Sequence, residues 1–185
     1  MPNWCNNEVT MYADEETIKQ LKAEVFTTDK GNKQSYLDFN KVIPMPKELK
    51  DTIRPPTIVS EDIVRMREVL EANPSIQGIW VDDTHIKRDR FGFYKYITES
   101  QSEYMKKTYG ANNWYDWKVT NWGTKWNIDG ESVYFYDEDV DRIELHFDTA
   151  WGPPEEICYA LREKYEDIEI GWFYREDGMQ FAGFL

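Results

Sequence analysis

Two histidines, two cysteines, a run of carboxylates and a tryptophan-rich segment with one lysine are the side chains of this chain whose types and spacing invite a chemical reading. Cys5, Cys158, His85 and His146 are scattered, and a zinc site would require all four to converge. Cys158 shares one face of a helical pattern with Ile157, Leu161 and Tyr165, which predicts an inert buried thiol. His146 falls with Arg142, Glu144 and Asp148 on the polar side of a strand pattern, and His85 lies among charges in a loop. The chain has no Gly-x-Ser-x-Gly, phosphate-binding glycine loop, His-Glu-x-x-His or Cys-x-x-Cys. No catalytic residue, metal ligand or cofactor is assigned on these grounds.

The carboxylates carry more information. From Asp129 to Asp148 there are eight acids against one base, Arg142. Asp137, Glu138, Asp139 and Asp141 fall in a turn between two strand patterns, with Glu144 just beyond it. The alternation of Asp137, Asp139 and Asp141 matches part of a calcium loop, but the glycine turn and closing glutamate of an EF-hand are missing. Two readings stay open, a solvated hairpin loop and a docking site for a basic protein. The net charge of −13 repels phosphate backbones and anionic membranes and favours basic partners. The basic and aromatic stretch Lys87–Lys95 is the one local exception that fits nucleic acid.

The segment from Asn113 to Asn127 holds Trp114, Trp117, Trp122 and Trp126, half of the eight tryptophans. Each indole has a large apolar face and one N–H that needs a partner when buried. The segment is therefore either the centre of a core or a binding surface, and the expectation is a mainly structural role with one or two rings exposed. Trp114, Trp117, Trp122, Lys125 and Trp126, joined by Trp151, are candidates to line a pocket. A desolvated Lys125 there would be reactive; a lysine packed on indoles with its head paired to an acid is the alternative.

These residues are carried by elements whose periods are legible. Val9 and Met11 alternate with polar neighbours as a strand. Asp14 caps a helix whose Ile18, Leu21 and Val25 form one stripe. Tyr36–Pro46 reads as a strand ended by two prolines, and Ser60 caps a helix through Ile63, Met66, Val69 and Leu70. Thr98–Tyr109 reads as a helix stopped by Gly110. From Ser132 the period is two, through a hairpin to Asp148; Gly152-Pro153-Pro154 opens a helix, and a last hairpin turns at Glu176-Asp177-Gly178.

The order predicts an α+β fold, a ferredoxin-like (split βαβ) antiparallel sheet backed by two helices and extended by a C-terminal strand. Residues 1–44 with 113–185 form that domain, and residues 45–112 are an inserted, mostly helical lobe. No apolar run is long enough to span a membrane and no signal peptide opens the chain, so the expectation is a cytoplasmic protein with free thiols. Nothing in the sequence speaks to oligomeric state.

Four stretches carry a resemblance: Met-Pro-Asn-Trp-Cys-Asn-Asn at residues 1–7, Pro44-Met45-Pro46 with Glu48-Leu49, Asn121-Trp122-Gly123-Thr124-Lys125-Trp126-Asn127, and Phe147-Asp148-Thr149-Ala150-Trp151-Gly152-Pro153-Pro154. In that order they resemble the YubB-like proteins of bacteriophages and plasmids. The resemblance implies a ferredoxin-like domain, a mobile-element origin and expression inside a bacterial cell; it implies no activity and no catalytic residues. The combined expectation is a non-enzymatic acidic binding protein that occupies a basic surface of a host protein, in defence or DNA metabolism. A small-ligand pocket or enzyme built on the tryptophans and Lys125 is the alternative, and a nucleic-acid module the third.

Overall fold

The structure, a computed structural model, describes residues 3–31, 34–60, 80–82, 85–88 and 92–185. The chain divides into two units, Met1–Pro44 with Lys118–Leu185, and Met45–Trp117.

In the first unit, strand β1 (Trp4–Tyr12) alternates as its sequence demands, with Cys5, Asn7, Val9 and Met11 buried and Trp4, Glu8 and Tyr12 exposed. Helix α1 (Glu15–Val25) follows; the Asp14 carboxylate accepts the Thr17 N–H at 2.8 Å, and Ile18, Leu21 and Val25 are its buried stripe. A short hairpin, β2 (Phe26–Thr28) and β3 (Ser35–Leu37), comes next.

The expected strand over Tyr36–Pro46 ends early. Asp38 accepts the Asn40 N–H at 3.0 Å and so caps a single turn, α2 (Phe39–Val42). A side-chain cap offered to the next amides competes with a strand ladder, which the apolar pattern alone does not reveal.

Among the described residues, the second unit contains a short 3₁₀ turn at Lys47–Leu49 and four strands, β4 (Thr57–Val59), β5 (Trp80–Asp82), β6 (His85–Arg88) and β7 (Gly92–Thr98). They pair in the order β4-β7-β6-β5, with β4 parallel to β7 and the other pairs antiparallel. The sequence reading places helices here, and α3 (Glu99–Tyr109) is one. It is held by a Thr98–Gln101 capping box and stopped by Gly110 at φ 77°. The four-stranded sheet is an addition to the expected helices, one that the sequence reading does not place. His85, read as a loop residue, begins β6, and the described ends of the charged and aromatic run Lys87–Lys95 lie on the antiparallel pair β6–β7, with Lys87 opposite Phe93. The helix expected after Ser60 lies outside the described residues.

Helix α4 (Trp114–Trp122) contains the division between the units. Beyond it, β8 (Val133–Glu138) and β9 (Arg142–Ala150) form the acidic hairpin; α5 (Glu155–Lys164), β10 (Glu169–Glu176) and β11 (Phe181–Phe184) complete the first unit. The five-stranded sheet runs β11-β10-β1-β9-β8 with every pair antiparallel. Without β11, this is the fourth, first, third and second strand of a βαββαβ unit, the ferredoxin-like topology.

Ile157, Cys158 and Leu161 of α5 join the α1 stripe in burial, as do Ile143, Leu145 and Phe147 of β9 and Ile170 and Trp172 of β10. A chain of rings runs through this core: Trp122 to Phe39 at 6.0 Å, Phe39 to Phe147 at 6.1 Å, Phe147 to Trp172 at 5.8 Å. Burial of each contributes roughly 1.5–3 kcal/mol. The core also holds a polar residue, Asn7, fully paired. Its amide donates to the Cys5 carbonyl (2.9 Å) and to Thr149 Oγ1 (2.8 Å), and its Oδ1 accepts the Trp172 indole N–H at 3.1 Å.

Candidate functional site

Three of the four stretches singled out in the sequence meet at one corner of the first unit. Trp4 opens β1 opposite Ala150, the last residue of β9. Trp151 follows with φ 72°, a backbone region costly for a bulky side chain, and its N–H donates to the Asn3 carbonyl at 2.9 Å. Gly123 ends α4 at φ 80° against the same strap; a Cβ on it would lie 2.8 Å from the Pro153 carbonyl oxygen. Thr124 is buried and donates from Oγ1 to the Ala150 carbonyl at 3.2 Å. Thr149 does the same to Gly152 at 2.8 Å. The Thr124 hydroxyl and the close approach at Gly123 thus fasten residues 123–126 to residues 149–154, and the Thr149 hydroxyl braces that strap internally.

What this anchoring presents is a set of indoles. Trp4, Trp126 and Trp151 are 48%, 41% and 39% exposed, far above the usual state of a tryptophan. Lys125 Nζ lies 3.6 Å from the Trp126 ring centre and 4.2 Å from that of Trp151, a cation held on two π faces. Trp4 and Trp126 sit 5.9 Å apart. Beside them opens a pocket of about 370 Å³ lined by Trp4, Asp129, Glu131, Ser132, Tyr134 and Asp148. A smaller one of about 220 Å³ adds Trp126 and Asn127.

The carboxylates there are held by neutral groups. Asp129 Oδ1 accepts the N–H groups of Glu131 (3.1 Å) and Ser132 (2.9 Å) and the Ser132 hydroxyl (2.8 Å). Asp148 Oδ1 accepts from Asn6 Nδ2 at 2.6 Å. Among the described residues none of Asp129, Glu131 and Asp148 has an ion-pair partner. Burial, reinforced by the charges of Asp148 and Glu8, pushes the Tyr134 phenol above its usual range, so it stays a neutral wall.

The acidic hairpin lies at the other end of β8 and β9 and is differently wired. Arg142 pairs with Asp137 and, at 3.1 Å, with Glu144, while Lys22 of α1 pairs with Glu138. Lys22 and the Tyr136 hydroxyl hold Glu138 below the usual carboxylate range. Glu144 also meets His146 Nε2 at 3.1 Å, and the His146 ring packs 4.7 Å from Phe135. Asp139 and Asp141 carry no ion pair among the described residues. Asp139 instead accepts the Val140 N–H at 2.7 Å.

Of the six pocket candidates, Lys125, Trp126 and Trp151 come together. Trp122 belongs to the core ring chain, donating from its indole to the Ile43 carbonyl at 2.9 Å. Trp117 is buried and Trp114 half-buried, the latter donating its backbone N–H to Thr52 Oγ1. Trp4 and Tyr134 joined the site unforeseen. The available signal was their outward parity on strands whose alternate residues are apolar. Both thiols are buried; burial raises Cys5 to about 11 and pushes Cys158 up. Among the described residues, no three His, Cys, Asp or Glu side chains group as a metal site would need. No described helix is long and apolar enough to cross a membrane.

The fold and this corner define a ferredoxin-like domain with a decorated sheet end, and the comparisons agree on the fold. Residues 130–184, which span β8 to β11, match a family model described as the ferredoxin-like domain in Api92-like protein. Among solved structures, the chain is similar to the crystal structure of a protein api92 from Yersinia pseudotuberculosis. That likeness has a TM-score of 0.50 and 12% identity, and covers 100% of this chain and 93% of that one. At such identity the likeness is one of fold. No curated protein matches the chain.

Proposed function

We propose that the chain is a non-enzymatic binding protein whose target presents a basic surface. The observation that supports it best is the indole corner, where three half-exposed tryptophans adjoin carboxylates that, among the described residues, have no ion-pair partner. Exposed rings of this size anchor protein interfaces, and the −13 net charge steers basic partners toward them. Lys125 is occupied by two rings, the arrangement of a packed cation rather than of a nucleophile awaiting substrate. The setting this reading suggests, following the sequence resemblance, is a phage or plasmid protein acting on a host protein in the bacterial cytoplasm.

The test is kinetic. A protein captured from nuclease-treated bacterial lysate is purified, and its association is followed for the wild type and for Asp139→Lys with Asp141→Lys. Among the described residues these two acids carry no ion pair, so the fold is expected to stay intact. The on-rate falls about tenfold at low salt, and the difference closes at high salt. Capture of nucleic acid alone, or rates indifferent to both charge and salt, would overturn the reading.

A further inference from the structure

We propose that the pocket beside Trp4 is a receptor for a single arginine side chain of the partner, its guanidinium laid on an aromatic wall and its N–H groups donated to the carboxylates. The inference rests on the binding reading above and narrows it to one occupant. Two of the six lining residues are aromatic, Trp4 and Tyr134, three are carboxylates, and none is a base. Such a lining attracts cations through both the ring faces and the acids, and repels phosphate or carboxylate ligands.

The carboxylates retain capacity. Asp129 and Asp148 spend Oδ1 on neutral donors, and neither Oδ2 takes a hydrogen bond among the described residues. The Glu131 side chain makes no hydrogen bond there either. Buried Thr149 and Asn7 brace the strand behind Asp148, since Asn7 Nδ2 binds Thr149 Oγ1 at 2.8 Å. The neighbouring ring pair already holds a cation of the chain's own, Lys125, on Trp126 and Trp151.

Arginine fits better than lysine for geometric reasons. A guanidinium is planar and weakly hydrated, so it stacks on an indole while its edge serves two carboxylates at once. An ammonium is a compact, strongly hydrated point charge and gains less from a flat wall. The pocket's size and access point the same way. About 370 Å³ is at the low end for small-molecule sites, and its walls Trp4 and Tyr134 are 48% and 56% exposed. It suits a side chain offered by a partner more than an engulfed metabolite.

The experiment is a titration of the ¹⁵N-labelled full chain at physiological ionic strength, where general attraction is screened. The probes are blocked tripeptides Gly-Xaa-Gly with arginine, lysine or citrulline, the last being an uncharged analogue of arginine. The arginine peptide shifts the Trp4 indole N–H and the Ser132 amide, and citrulline and lysine bind about tenfold more weakly. Asp148→Asn and Trp4→Ala each weaken the arginine peptide about tenfold, with Tyr134→Ala as the substitute should Trp4→Ala fail to fold. An arginine peptide that leaves Trp4 unmoved, or binds no better than citrulline or lysine, overturns the assignment. The two proposals fail separately. Arginine binding at Trp4 in a chain that no basic protein joins sinks the function and keeps the pocket. Charge-dependent association with an unmoved Trp4 does the reverse.

Discussion

The two ends of the β8–β9 ribbon carry similar charge and treat it in opposite ways. At the turn, Asp137, Glu138 and Glu144 are matched by Arg142 and Lys22, and the acids help to lock the hairpin to α1. At the indole corner, Asp129 and Asp148 are steadied by amides and hydroxyls that carry no charge, and among the described residues neither is neutralised by an ion pair. The denser cluster is thus the more self-satisfied, and the sparser one is the better equipped to meet a partner. Counting acids would have ranked them the other way.

The largest expected effect breaks the corner and spares the turn. Gly123→Ala forces a side chain into the left-handed region and against the Pro153 carbonyl, 2.8 Å away, and the Glu155 backbone nitrogen, 3.1 Å away. A loss of about 2–4 kcal/mol is expected in urea unfolding. The tryptophan emission should shift as the strap loosens, while the Lys22–Glu138 pair persists.

A smaller effect makes the turn resemble the corner. Arg142→Ala removes the base shared by Asp137 and Glu144. Because these groups face water, stability should fall by less than about 1 kcal/mol. The unmasked acids should speed low-salt association with a basic partner by about threefold. An unchanged on-rate would mean the turn plays no part in steering.

The smallest effect is a titration. Glu138 lies below its ordinary value of 4.5, first through Lys22 and then through the Tyr136 hydroxyl. A carboxylate depressed in the folded state stabilises the fold above the ordinary range, and that contribution drains away as pH falls through the depressed value. With both partners more than a third exposed, it amounts to a few tenths of a kcal/mol. The ¹³C carboxyl titration of Glu138 should move up toward 4.5 in Lys22→Met.

Much of the sheet was legible because its strands keep strict parity. Val9 and Met11 in β1, Ile143 to Phe147 in β9, and Ile170 and Trp172 in β10 all fall on the buried side. Local periodicity cannot show pairing between distant segments. The register that sets Trp4 opposite Ala150 brings residue 4 to the strap after β9, and no spacing within either stretch announces it. The same limit explains the hairpin. Its acids are plain in the sequence, but the Lys22 that neutralises Glu138 arrives from α1. Short elements escaped for another reason. A strand of three residues, such as β4, or the turn capped by Asp38, offers too few positions for a period to declare itself.

The place of β1 in the sheet has a consequence for synthesis. It is the third of five strands in spatial order, yet the two that flank it, β9 and β10, lie more than a hundred residues further along the chain. The earliest-made strand must therefore wait with both edges unpaired until more than a hundred further residues have emerged. Pairing across that separation is a non-local contact that slows folding of this unit, and Val9 and Met11 stay uncovered until it is made.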